Sequence, residues 1–159
     1  MTVAADAVRS LITRGWTLGV AESLTGGAVA AELVSVPGAS ATLWGAVVAY
    51  ATPVKHSLLG VDEALLDAHG PVHPRVALQM ADGVRRAVGV GRAADVGVAT
   101  TGIAGPDSPD GQPVGTVHVA VVTPESSVTE SFRFFGDRSA IRAQSVDAVV
   151  SLLSRMSRE

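Results

Sequence analysis

An apolar segment, Thr17-Leu18-Gly19-Val20-Ala21, runs into Glu22-Ser23-Leu24-Thr25-Gly26-Gly27 and out into Ala28-Val29-Ala30-Ala31, and this stretch limits the folds open to the chain. The first part has the length of a buried strand, residues 26–35 have helical spacing, and a short turn of hydroxyls and glycines joins them. Such a turn aims side chains at a pocket. Free N–H groups at a helix start favour an anion or a developing oxyanion, and Ser23 and Thr25 stand beside them. A plainer use of the same residues is that Thr25 caps the helix and the glycines permit the turn.

The rest of the chain repeats this alternation. Residues 4–14 show an amphipathic helix, 43–50 a second apolar strand ending at Tyr50, and 53–59 and 62–68 two short helices with Pro53 and Asp62 at their starts. Val76, Met80, Val84 and Val88 mark a helix that ends at Gly89. Residues 94–101 and 115–123 read as strands, and 127–135 as a fifth that forms a hairpin with the fourth. Residues 137–156 form one long final helix. This order predicts an α/β fold: a three-layer α/β/α sandwich on a mixed, mostly parallel sheet of about five strands, as one domain over residues 1–159.

Composition narrows the chemistry. The 159 residues contain no cysteine, which excludes disulfides, thiolate catalysis and sulfur-ligated zinc. A formal net charge of −3 argues against a broad nucleic-acid surface, and a small anionic ligand fits better. No apolar run reaches the roughly 18 residues of a membrane span and no secretory signal is visible, so a soluble, cytoplasmic protein with no membrane partner is expected. His69 and His73 are four apart, but Gly70 and Pro71 break any helix that would align them on a metal, so no metal site is expected. Gly89-Val90-Gly91 precedes a strand instead of following one and is discounted as a dinucleotide fingerprint. Lys55 is the only lysine, and it lies five residues after Tyr50, the only tyrosine.

Glu22-Ser23-Leu24-Thr25-Gly26-Gly27 resembles the Glu-Ser-x-Thr-Gly-Gly signature of the CinA C-terminal domain family. Thr101-Gly102-Ile103-Ala104-Gly105-Pro106 and Pro113-Val114-Gly115-Thr116-Val117 resemble two further family segments in the same order, which extends the likeness over nearly the whole chain. The resemblance implies the same α/β/α architecture, at least a homodimer, no cofactor, and, for the enzymatic members, hydrolysis of nicotinamide mononucleotide (NMN) to nicotinic acid mononucleotide and ammonia. It also matches Ser40, a serine the family carries ten residues before its tyrosine.

Ligands of such sheets bind outside the carboxyl ends of parallel strands, so residues 22–27, 50–55 and 100–106 are expected to converge. Amide hydrolysis needs a nucleophile, a base, oxyanion donors and an acid for the departing ammonia. Ser23 and Ser40 both qualify as nucleophile. Lys55 qualifies as base if burial or nearby cations lower its pKa; arginine cannot serve. Tyr50 can orient the lysine, relay its proton or stack on the substrate ring. Backbone N–H groups near Gly102 and Gly105, or at Thr25, Gly26 and Gly27, can hold an oxyanion or a phosphate, with Thr101 beside them. Arg138 and Arg142 sit in the first turns of the last helix, where cations oppose the helix dipole, which suggests an anion nearby. Glu22 is a second-rank binding candidate, since a carboxylate at a strand end also pairs with backbone N–H groups.

The chain departs from the family pattern at Leu24, commonly cysteine, at Ala51-Thr52 in place of Ser-Asn, and at His73-Pro74-Arg75 in place of Ser-Glu-Glu. Two competing readings therefore stand beside the amidohydrolase: a non-catalytic nucleotide-binding or assembly domain linked to competence or damage response, and hydrolysis of a different amide.

Overall fold

A computed structural model describes residues 1–158. Its elements run α1 (Val3–Arg14), β1 (Leu18–Glu22), α2 (Ala28–Val34), a 3-10 turn (Ala39–Ala41), β2 (Leu43–Val48), α3 (Thr52–Leu59), α4 (Glu63–His69), α5 (Pro74–Ala87), β3 (Val96–Gly102), β4 (Thr116–Val122), β5 (Ser127–Arg133) and α6 (Arg138–Arg158). The strands form one sheet in the order β2-β1-β3-β4-β5. The pairs β1–β2 and β1–β3 are parallel, while β3–β4 and the hairpin β4–β5 are antiparallel. The sheet is thus mixed and five-stranded, with helices on both faces.

Strand alternation assigns the two faces different side chains. Leu18, Val20, Val96, Val98 and the β4 residues Val117, Val119 and Val121 point to one face and pack under α1, α2 and α6. On the other face Ala21, Ala99 and Ala120 meet α3, α4 and α5. Small residues there let α5 approach closely: a Cβ on Gly97 would lie 1.8 Å from the Ala81 carbonyl oxygen. Gly83 in turn lets α3 approach α5, since its Cβ would lie 1.7 Å from the Leu59 carbonyl oxygen.

Element boundaries fall within about two residues of expectation, and one of these shifts bears on the site. Helix α2 begins at Ala28 instead of residue 26, because Gly26 and Gly27 take left-handed conformations (φ 59° and 104°) and stay in the turn. Thr25 does not cap it. The cap comes from Glu22, whose buried carboxylate oxygens accept the N–H groups of Val29 (2.9 Å) and Ala30 (3.0 Å). No described helix is long and apolar enough to cross a membrane.

Candidate active site

The carboxyl ends of β1, β2 and β3 surround a cavity of about 280 Å³, near the lower end of the roughly 300–1,000 Å³ usual for small-ligand sites. Ser23 follows β1 directly and lines it. From the end of β2 only Ala49, Tyr50 and Ala51 precede α3, so the first turns of that helix lie over the strand ends and carry Lys55 into the cavity.

Lys55 is fully buried, and its Nζ donates to Ser23 Oγ (2.8 Å), to the Ala49 carbonyl (2.7 Å) and to the Tyr50 carbonyl (3.3 Å). Burial pushes its pKa from 10.5 down to about 8, because removing an ammonium from water disfavours the charged form. The neutral amine is therefore accessible near neutral pH, where an ordinary lysine is almost wholly protonated. A neutral amine has two N–H groups and a lone pair. With both N–H groups kept on the two carbonyls, the lone pair faces the serine hydroxyl.

The turn that holds Ser23 is pinned from below. Thr25, fully buried, shares a 2.8 Å hydrogen bond with the Thr100 hydroxyl, and Thr100 Oγ1 accepts the Ser23 N–H at 3.4 Å. Arg142 fixes it from α6, donating to the carbonyls of Leu24 (2.9 Å) and Thr25 (3.2 Å). Among the described residues the N–H groups of Leu24, Ala104 and Gly105 have no acceptor, and all three residues line the cavity.

Arg138 stands at the mouth, donating to the Gly105 carbonyl (2.7 Å) and the Tyr50 hydroxyl (3.2 Å). Tyr50 thus acts on Lys55 through its carbonyl, while its exposed phenol faces Arg138. Thr101 lines the wall and donates to the Pro71 carbonyl (2.7 Å). Gly102 and Gly105 line it too, and Gly105 (φ 84°) lies where a Cβ would meet Val114 at 2.5 Å.

The structure gathers Ser23, Tyr50, Lys55, Thr101, Gly102, Gly105 and Arg138 around the cavity. Six other candidates lie elsewhere. Ser40 is exposed on the 3-10 turn before β2, at the amino end of the parallel strands; Leu18 pairs with Leu43, so β1, at ~3.3 Å per residue, separates Ser40 from Ser23 by roughly 15 Å. Glu22 is spent on the α2 cap. Thr25 is spent on the Thr100 hydroxyl, Gly26 and Gly27 shape the turn, and Arg142 is spent on backbone carbonyls, so none of these five presents a group to the cavity. The anion expected near the last helix therefore concerns Arg138; Asp137 Oδ1 caps α6 through Ala140 N–H (2.9 Å).

Sequence reasoning missed Pro71, Val72, Asp107 and Asp110 as lining residues. The position of Asp107 and Asp110 just beyond the carboxyl end of β3, in a Pro/Gly-rich loop, was the available signal. Among the described residues no group of three or more His, Asp or Glu is placed to hold a metal.

A family model described as the CinA C-terminal domain matches residues 1–157. A CinA-like protein of Frankia casuarinae is 50% identical over 146 residues, covering 92% of this chain and 33% of that protein. A CinA-like protein of Gloeobacter violaceus is 44% identical over 157 residues, covering 97% and 36%. The chain spans about a third of the length of these curated relatives. A crystal structure of a competence-damaged protein (CinA) superfamily protein from Klebsiella pneumoniae superposes with a TM-score of 0.90 at 33% identity, covering 98% of this chain and 95% of that one. The competence/damage inducible protein CihA from Agrobacterium tumefaciens gives 0.85 at 31% identity, covering 100% and 98%.

Proposed function

The chain belongs to the CinA C-terminal domain family, and from that premise we propose that it is a nicotinamide-nucleotide amidohydrolase, converting NMN and water to nicotinic acid mononucleotide and ammonia. The observation that carries this is the contact of 2.8 Å between the buried Lys55 amine and Ser23 Oγ. A lysine sealed from water beside a serine loses stability as a charge and gains reactivity as a base.

In this mechanism neutral Lys55 takes the Ser23 proton as Oγ attacks the carboxamide carbon. The N–H of Leu24, adjacent to the nucleophile, and those of Ala104 and Gly105 are the available oxyanion donors. The C–N bond breaks, and the Lys55 ammonium returns the proton so that ammonia leaves. Water then attacks the acyl-serine, giving its proton to Lys55, and the carboxylate departs as Ser23 recovers its proton. No step needs a cofactor. Arg138, with guanidinium N–H groups beyond those on Gly105 and Tyr50, is the partner for the 5′-phosphate. A homo-oligomer of this domain is part of the same proposal and is tested by sedimentation.

The test is release of ammonia and nicotinic acid mononucleotide from NMN by the purified chain, with Ser23→Ala alongside. Turnover lost in the variant, with unfolding midpoint retained, supports the reading. NMN binding without ammonia release by wild type would leave a nucleotide-binding domain instead.

A further inference from the structure

The cavity mouth carries a negative charge that the proposed chemistry does not use. Asp107 follows β3, lines the cavity and is exposed; among the described residues its carboxylate has no hydrogen-bond or ion-pair partner. Asp110, also lining it, differs: its oxygens accept the Gln112 backbone and side-chain N–H groups (3.2 and 2.8 Å), and Gln112 ties the loop to the Val72 carbonyl (3.0 Å). Asp110 shapes the loop. Asp107 shapes nothing.

Arg138 lines the same cavity, yet its bonds go to Gly105 and Tyr50 and not to Asp107. An arginine and a carboxylate that share a cavity of about 280 Å³ without pairing leave two separated charges of opposite sign. Their complement is a ligand that carries both signs.

Resting on the amidohydrolase reading, we infer that Asp107 determines specificity by selecting the cationic pyridinium ring of the oxidised nucleotide over the uncharged ring of its reduced form. A ligand whose carboxamide meets Ser23 and whose phosphate meets Arg138 places its ring in the same small volume as Asp107. Without that carboxylate the charged groups left on the cavity lining would be Lys55, Arg138 and Asp110, the last with its oxygens already held by Gln112 N–H groups. Coulomb attraction needs no contact and acts over several ångströms in a partly desolvated cavity. Oxidised and reduced nucleotides have the same carboxamide, ribose and phosphate, so ring charge is the main handle for telling them apart.

The experiment compares wild type, Asp107→Asn and Asp107→Glu. Affinity for NMN is read as KM where there is turnover and by calorimetry where there is none. Affinity for the reduced nucleotide is read as its inhibition constant or by calorimetry. Wild type should prefer the oxidised form. Asp107→Asn should weaken oxidised NMN about fivefold, the upper range for a solvent-accessible charge pair, leave the reduced form unchanged, and move kcat little; Asp107→Glu should restore the preference. Equal loss for both ring states, or none for either, would overturn the inference. Ammonia release by wild type tests the amidohydrolase reading alone, and the ratio of affinities tests Asp107 alone.

Discussion

Lys55→Met replaces the buried amine with an unbranched, uncharged side chain of similar length. Below pH 8 the folded chain carries Lys55 mostly protonated although burial has lowered its pKa from 10.5 to about 8; at ~1.36 kcal/mol per pH unit that costs about 3 kcal/mol relative to the unfolded chain. Methionine removes this cost but leaves the Ala49 and Tyr50 carbonyls without their donor, at about 1 kcal/mol each. Near neutrality the variant should therefore be about 1 kcal/mol more stable than wild type. Between pH 8 and 10.5 the unfolded chain keeps a proton that the folded chain has lost, so wild-type stability climbs with pH across that window. The variant lacks this rise. Urea unfolding of both proteins at pH 7.5 and pH 10 should show the difference shifting by about 2 kcal/mol toward wild type, while other titrations cancel in the comparison. A difference that stays constant would mean that Lys55 ionises as it does in the unfolded chain, and the argument for a neutral base near neutrality would fail. Turnover by the variant should fall at least ~10³-fold, within the range for losing a general base.

Ser40→Ala should keep ammonia release within about twofold of wild type, because an exposed residue at the far end of the strands contributes no group to the cavity; a hundredfold loss would place the nucleophile there. Arg142→Ala should lower kcat about tenfold with little change in KM, as expected when the nucleophile's turn loosens without loss of a binding contact; steady-state kinetics decide it, and a selective rise in KM would make Arg142 a binding residue. Gly83→Ala should lower stability by about 3 kcal/mol or more, since its Cβ would fall inside the Leu59 carbonyl; an unchanged thermal midpoint would show that α3 can slide away freely. The wild-type kcat/KM should rise with pH through a midpoint near 8 as Lys55 loses its proton; a rise centred near 6 would point to a different base.

The strands and most helices were legible because each buries a face with its own period. Features set by distant contacts were less so. The late start of α2 follows from the left-handed Gly26 and Gly27, and its cap is the Glu22 carboxylate reaching Val29 and Ala30, seven and eight residues on, which no local pattern announces. His73, a departure from the family's serine, caps α5 in its place: its Nδ1 accepts the Arg75 N–H at 3.1 Å. Sequence marked Ser23 and Lys55 through the turn and the lone lysine, but their pairing, 32 residues apart, needed the parallel β1–β2 register. That register also removes Ser40, because what precedes a parallel strand lies at the end opposite its carboxyl terminus. Arg138 and Arg142 looked equivalent in sequence; one helical turn separates an arginine at the mouth from one committed to carbonyls.

The basicity of Lys55 is a property of the core as much as of the site. Lys55 and Leu59 lie one turn apart on the inward face of α3, and both are buried. Leu59 closes against Gly83 of α5, and α5 in turn lies against Gly97 of β3, each at a distance that only glycine allows. Small residues on this face of the sheet therefore set the depth of α3, and that depth keeps water from the amine. A larger residue at either glycine would lift the helix, return solvent to Lys55 and raise its pKa toward 10.5. The same packing that costs stability through a buried charge supplies the neutral amine that serine activation requires.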